Sequence, residues 1–166
     1  MSIRLPLKTV LSYDDVGQTG ATSVAGGVAK TFTIPQDSDN IVVKLTASVI
    51  AGAVSATLQT TDDGGTTWYD VARTSVVSNA NNTTATWVSV PVIGAGIATA
   101  QNGFPTACII STGVRSTAAS SLGANQVSGL PILSQQGRVF LIYTANVSST
   151  DLALVEVKVN SQSATA

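Results

Sequence analysis

The stretch Gly137–Asn160, GRVFLIYTANVSSTDLALVEVKVN, decides the fold. In it Val139, Leu141, Tyr143, Ala145 and Val147 alternate with Phe140, Ile142, Thr144 and Asn146. Beyond the polar run Ser148–Asp151, the residues Ala153, Val155, Val157 and Val159 recur at every second position. Successive side chains of a strand point to opposite faces, so this period of two predicts two strands, each with one apolar face. The short polar connection predicts that the two strands pair with each other as a long hairpin.

Working outward, the same pattern returns. Ile41, Val43, Leu45, Ala47 and Val49 alternate with Val42, Lys44, Thr46, Ser48 and Ile50, which predicts a half-buried strand. Val54, Ala56 and Leu58 oppose Ser55, Thr57 and Gln59, and after the polar run Thr61–Thr67 the segment Trp68–Ala72 completes a second hairpin. Thr86–Val92 aligns Val88, Val90 and Val92, while Pro91 lacks a backbone donor and belongs at an edge or a bulge. Weaker strand signals cover Ile3–Leu11, Val28–Ile34 and Phe104–Ile110, for a total of about eight or nine, enough for two packed sheets. The predicted fold is all-β, an antiparallel β-sandwich or jelly-roll-like domain over residues 1–166, with an N-terminal arm 1–27 and a long loop insertion 93–136. The Gly-, Ala- and Ser-rich stretches Asp14–Gly27, Gly94–Ala100 and Ser111–Gly129 are expected to be loops ordered by a neighbouring subunit, or to hide further short strands.

Composition agrees. β-branched residues are plentiful, and eight of the nine acidic residues are Asp. Charged residues are 10% of the chain, against about 25% in an average soluble domain. Mean hydropathy is +0.33, yet no run approaches the roughly 18 apolar residues of a membrane-spanning helix. A monomer of this mass exposes on the order of 7,600 Å². The eight basic and nine acidic side chains are few for such an area, which predicts surface covered by copies of the chain or by partners. A net charge of −1, with Lys and Arg scattered singly, leaves no electrostatic footprint for nucleic acid. Pro6, Lys8 and Ser12 interrupt any apolar core of a signal peptide, so synthesis in a cytoplasm is expected. The lone Cys108, between Ala107 and Ile109, reads as a small core residue.

The chain contains no His, which removes the usual general base, the Ser-His-Asp and Cys-His arrangements, and most catalytic zinc sites. The acidic pairs Asp14/Asp15, Asp37/Asp39 and Asp62/Asp63 lie in polar sequence typical of turns. Asp37-Ser38-Asp39-Asn40 lacks the Gly and the distal Glu of a calcium loop, and Gly94-Ala95-Gly96 and Gly26-Gly27 lack phosphate-loop spacing. No catalytic residue, cofactor or metal site is expected.

Thr61-Asp62-Asp63-Gly64-Gly65-Thr66-Thr67-Trp68 resembles an Asp-box, with Thr61, Asp63, Gly65, Thr67 and Trp68 on the matching positions. Locally, Asp63 is suited to accept backbone N–H bonds across the turn, Gly64 and Gly65 to adopt positive φ, and Trp68 to cover the turn. In sialidase propellers the motif recurs several times, away from the active site; here it occurs once, which points to a fold brace. The segment LQTTDDGGTTWYDVA followed later by GRVFLIYTANVSSTDLALVEVKV also resembles small tailed-phage virion proteins, over Ile41–Ala72 and Gly137–Asn160. That resemblance implies a capsid decoration or cement protein on the virion surface, a homo-oligomer with a trimer favoured. Its partner would be the major capsid protein, with no nucleic-acid or membrane contact. Two alternatives remain open: a carbohydrate- or receptor-binding module using Trp68, Trp87, Tyr69 or Tyr143, and a tail or head–tail connector component.

Overall fold

The computed structural model describes residues 7–16, 29–36, 38–49, 53–78, 85–92, 99–100, 108–109, 122–128, 130, 132–143 and 152–161. Twelve strands and no helix occur among them: β1 (Lys8–Val16), β2 (Lys30–Thr33), β3 (Ser38–Val49), β4 (Ala53–Thr60), β5 (Tyr69–Arg73), β6 (Val77–Ser78), β7 (Ala85–Pro91), β8 (Thr99–Ala100), β9 (Cys108–Ile109), β10 (Gln126–Ser128), β11 (Gln136–Tyr143) and β12 (Leu152–Ser161). One sheet, here sheet A, has the order β1-β12-β3-β7-β8; sheet B runs β2-β11-β4-β5-β10-β9. β6 continues the line of β5 along the same edge of β4 after an interruption at residues 74–76, where the Thr74 N–H still donates to Ala56 O. Pairing is antiparallel throughout except between β9 and β10.

The order has a simple logic. β4 pairs with β5, β3 with β7, β2 with β11 and β1 with β12. The eight longer strands are therefore one chain doubled back on itself at the β4–β5 turn and then rolled up. The roll is closed by the contacts β12–β3 and β11–β4. An eight-stranded antiparallel hairpin rolled in this way is a jelly roll, two Greek keys packed as a sandwich.

The C-terminal hairpin expected from Gly137–Asn160 does not form. β11 lies in sheet B and β12 in sheet A, so the connection crosses from one layer to the other. Alternation specifies which side chains face inward but not which strand lies alongside. Val139, Leu141 and Tyr143 meet Ala153, Val155, Val157 and Val159 across the sandwich instead of within one sheet. Ile41, Val43 and Leu45 of β3, Val54, Ala56 and Leu58 of β4, and Val88 and Val90 of β7 complete this core, and each is 1% exposed or less. A fully buried Val or Leu contributes about 1.5–3 kcal/mol, so this row dominates the stability of the sandwich.

Further differences concern the ends and the loops. Within the expected N-terminal arm, β1 overlaps the weak strand signal Ile3–Leu11 and runs on to Val16; it pairs with β12 from Lys8 to Val16 and forms an edge of sheet A. Asp14 and Asp15 thus lie in a strand, and Asp39 lies in β3, not in turns. The insertion 93–136 contributes β8, β9 and β10, each paired with its neighbours over only two residues; β9 falls within the weak strand signal Phe104–Ile110, whereas β8 and β10 are too short to leave a readable period. Pro91 ends β7, beyond the two-residue partner β8, where its missing N–H breaks no ladder bond. The side chain of Cys108, the residue Asp37 and the segment 144–151 lie outside the described residues.

Candidate functional site

The Thr61–Trp68 turn is the tip at which the chain doubles back. Asp63 Oδ1 accepts from the backbone N–H groups of Thr66 at 3.0 Å and Thr67 at 2.8 Å, and from Thr61 Oγ1 at 2.9 Å. Thr61 Oγ1 in turn accepts from Gly65 N at 2.9 Å. Gly64 and Gly65 take φ of 75° and 101°, a region closed to most side chains. Trp68 folds back and donates Nε1–H to Gly65 O at 2.8 Å. These bonds, those from Thr67 foremost, hold the Asp63 carboxyl at a pKa of about 2, well below the ordinary 3.8. The carboxylate is engaged in bracing the turn.

Beneath Trp68 lies a polar layer that strand alternation does not predict. Every residue of β4 from Val54 to Thr60 is buried, including Ser55, Thr57 and Gln59 on the face away from the main core. Arg138 Nε donates to Gln59 Oε1 at 2.7 Å, and Gln59 Nε2 donates to Asp70 Oδ1 at 2.7 Å. Arg73 Nε donates to Ser55 Oγ, and its Nη1 donates to Leu122 O, both at 2.8 Å. The Arg138 guanidinium sits 4.5 Å from the centre of the Trp68 ring, a cation–π contact screened from water. Burial pushes both guanidinium groups below the usual arginine range, and the Asp70 charge opposes that shift.

A β-bulge assembles this layer. The register of β4 with β5 slips between Leu58 and Gln59, so Gln59 faces Asp70 while Leu58 faces Ala72. Val71 is the extra residue. Asp70 and Arg73 are three apart, which strict alternation would place on opposite faces, yet both reach the outer face of β4. The C-terminal part of the 93–136 insertion is laced onto sheet B: Asn125 N donates to Thr74 O, Ser128 Oγ to Val71 O at 3.2 Å, and Leu133 N to Thr60 Oγ1. That part of the insertion therefore packs on its own sheet.

The outer face of sheet A is different. Glu156 bridges Lys158 at 3.1 Å and Lys44 at 3.5 Å, and the Lys158 contact is the main cause of a Glu156 pKa below the ordinary range. Beside Lys44, in register on β7, Trp87 lies 43% exposed, with Leu7 46% exposed. Trp87, Leu7, Val42, Lys44, Ser89 and Lys158 line an open groove of about 360 Å³. A second open cavity, about 420 Å³, lies beside Gly64 and is lined by neutral hydroxyl and amide groups of Thr31, Thr33, Ser134, Gln135 and Gln136 together with Phe32.

Of the four aromatic residues considered as ligand platforms, Trp68 and Tyr143 are buried, at 3% and 5% exposure. Tyr69 is half-buried beside Asp62 and Asp63, and Trp87 presents its ring to solvent. Among the described residues no group of three potential metal ligands converges. Comparison of the chain with protein-family models, with curated proteins and with solved structures finds no match.

Proposed function

We propose that this chain is a non-enzymatic structural protein of a virion, a decoration or cement protein that docks as a homotrimer on the major capsid protein and stabilises the shell by covering its surface. The observation that carries the reading is the junction of the two resembling segments. Gly137 and Arg138 pair with Thr60 and Gln59 at the root of the Asp-box turn, and Arg138 lies under Trp68. The two segments are thus one physical unit, a braced turn locked to the strand that closes the roll. The charged side chains Asp63, Asp70, Arg73 and Arg138 are committed to bracing this frame. That use suits a rigid scaffold acting by contact. Jelly rolls serve in viral shells and in lectins alike, so the fold is compatible with the reading without deciding it.

The test is to mix the purified protein with undecorated shells of the virus that encodes it. Saturable co-sedimentation, with a rise in shell melting temperature, is expected, because a ligand bound only to the assembled state stabilises that state by mass action. Absence of binding to the shell refutes the proposal. Light scattering on the isolated protein reads the trimer directly.

A further inference from the structure

We infer that the groove around Trp87 on the outer face of sheet A is a binding site for a carboxylated saccharide. Its floor is apolar: the half-exposed indole of Trp87, with Val42 and Leu7 alongside, on a sheet framed by the pairing of β12, β3 and β7. Such a surface stacks against the C–H face of a pyranose ring. Its polar groups are donors. Lys44 and Lys158 can only donate, as can the Trp87 indole N–H, and the Ser89 hydroxyl, which accepts from Asn40 Nδ2, still has its O–H to donate alongside one lone pair. Glu156, the adjacent carboxylate, spends one oxygen on each lysine. The lining therefore offers positive charge and hydrogen-bond donors to a ligand that brings a negative charge and acceptors.

Size separates a small ligand from a protein partner. Trp87 at 43% exposure shows on the order of 100 Å² of its surface, and Leu7 adds a similar area. A stable protein interface takes about 800 Å² from each partner. A groove of about 360 Å³ instead lies within the usual range for small-molecule sites, and suits one or two sugar rings. A ligand so small on an open surface binds weakly, with Kd on the order of 1 mM, and repetition of the site on an assembly would multiply its avidity.

The inference does not rest on the virion reading, since shell binding and saccharide binding can each fail alone. Its test is an amide and indole NMR titration of the full chain with sialyllactose, with lactose as the neutral counterpart and sodium propionate as the bare carboxylate. The two indole N–H signals are assigned with Trp87→Phe. Saturable shifts of the Trp87 indole and of the Lys44, Ser89 and Lys158 amides are expected with sialyllactose. Lactose should bind at least about tenfold more weakly, as should sialyllactose to Trp87→Ala or Lys158→Gln. Unchanged melting temperatures of both variants exclude loss of the fold as the cause. No shift with sialyllactose, equal shifts with lactose, shifts reproduced by propionate alone, or tighter binding of a short acidic leucine-containing peptide would each overturn the assignment.

Discussion

Asp70→Asn tests the polar layer most directly. The substitution keeps the shape of the side chain and an oxygen able to accept from Gln59 Nε2, but it removes the negative charge whose field reaches both Arg73 and Arg138. Asp70 and Gln59 are fully buried and Arg138 is 6% exposed, so water is poorly placed to replace the lost counter-charge. Leaving a buried charge without its partner costs about 3–5 kcal/mol. For a domain of this length each kcal/mol lowers Tm by about 2–4 °C, so the variant should melt roughly 6–20 °C lower. Urea denaturation gives the free energies, and an unchanged m-value guards against altered compactness. Arg138→Met completes a double-mutant cycle. It too should be destabilising, and the double variant should lose at least about 1 kcal/mol less than the sum, because removing both charges leaves less unpaired. A loss below about 1 kcal/mol for Asp70→Asn, or strict additivity in the double variant, would refute the claim that charge pairing holds this layer together.

Other measurements probe separate parts of the structure. Gly137→Ala would place a methyl group 2.6 Å from Phe32 Cζ, and should cost about 1–3 kcal/mol in urea unfolding, recovered in part by Phe32→Leu. Thr57→Val replaces a fully buried hydroxyl that has no hydrogen-bond partner among the described residues, so this variant should be more stable than the parent by about 1 kcal/mol. Because the Asp63 pKa falls from 3.8 to about 2 on folding, its contribution is fully present above pH 4 and is lost as pH drops toward 2. The urea midpoint of Asp63→Asn should therefore be lower at neutral pH and should approach that of the parent in this acid window. Iodide should quench Trp87 fluorescence but not that of Trp68, and Trp87→Phe should abolish the quenchable component without moving Tm.

The residues themselves show why some of this was legible and some was not. A strand's period of two is a local property, so Val155, Val157 and Val159, or Ile41, Val43 and Leu45, declare their inward faces without reference to any partner. The Thr61–Trp68 turn is equally local: Thr61, Asp63, Gly65, Thr67 and Trp68 satisfy one another within eight residues. The polar layer stayed hidden because Ser55, Thr57 and Gln59 have the pattern of a solvent face, and because the bulge at Val71 shifts Asp70 and Arg73 onto one side. The nearest signal was an excess of charge, with Asp70, Arg73 and Arg138 all in strands that are otherwise apolar.

By itself the sequence determined a chain of alternating strands around one apolar core, a self-bracing turn between Thr61 and Trp68, and a set of side chains without imidazole chemistry. The tertiary structure decided which strands lie side by side. It sent β11 and β12 to opposite sheets, folded β10 onto β5, buried Trp68 and left Trp87 in solvent. The reason is the range of the forces involved. Alternation and turn bonds act over a few residues, whereas strand partners and exposure depend on contacts between segments far apart in the chain, such as Thr60 with Gly137 and Lys44 with Glu156.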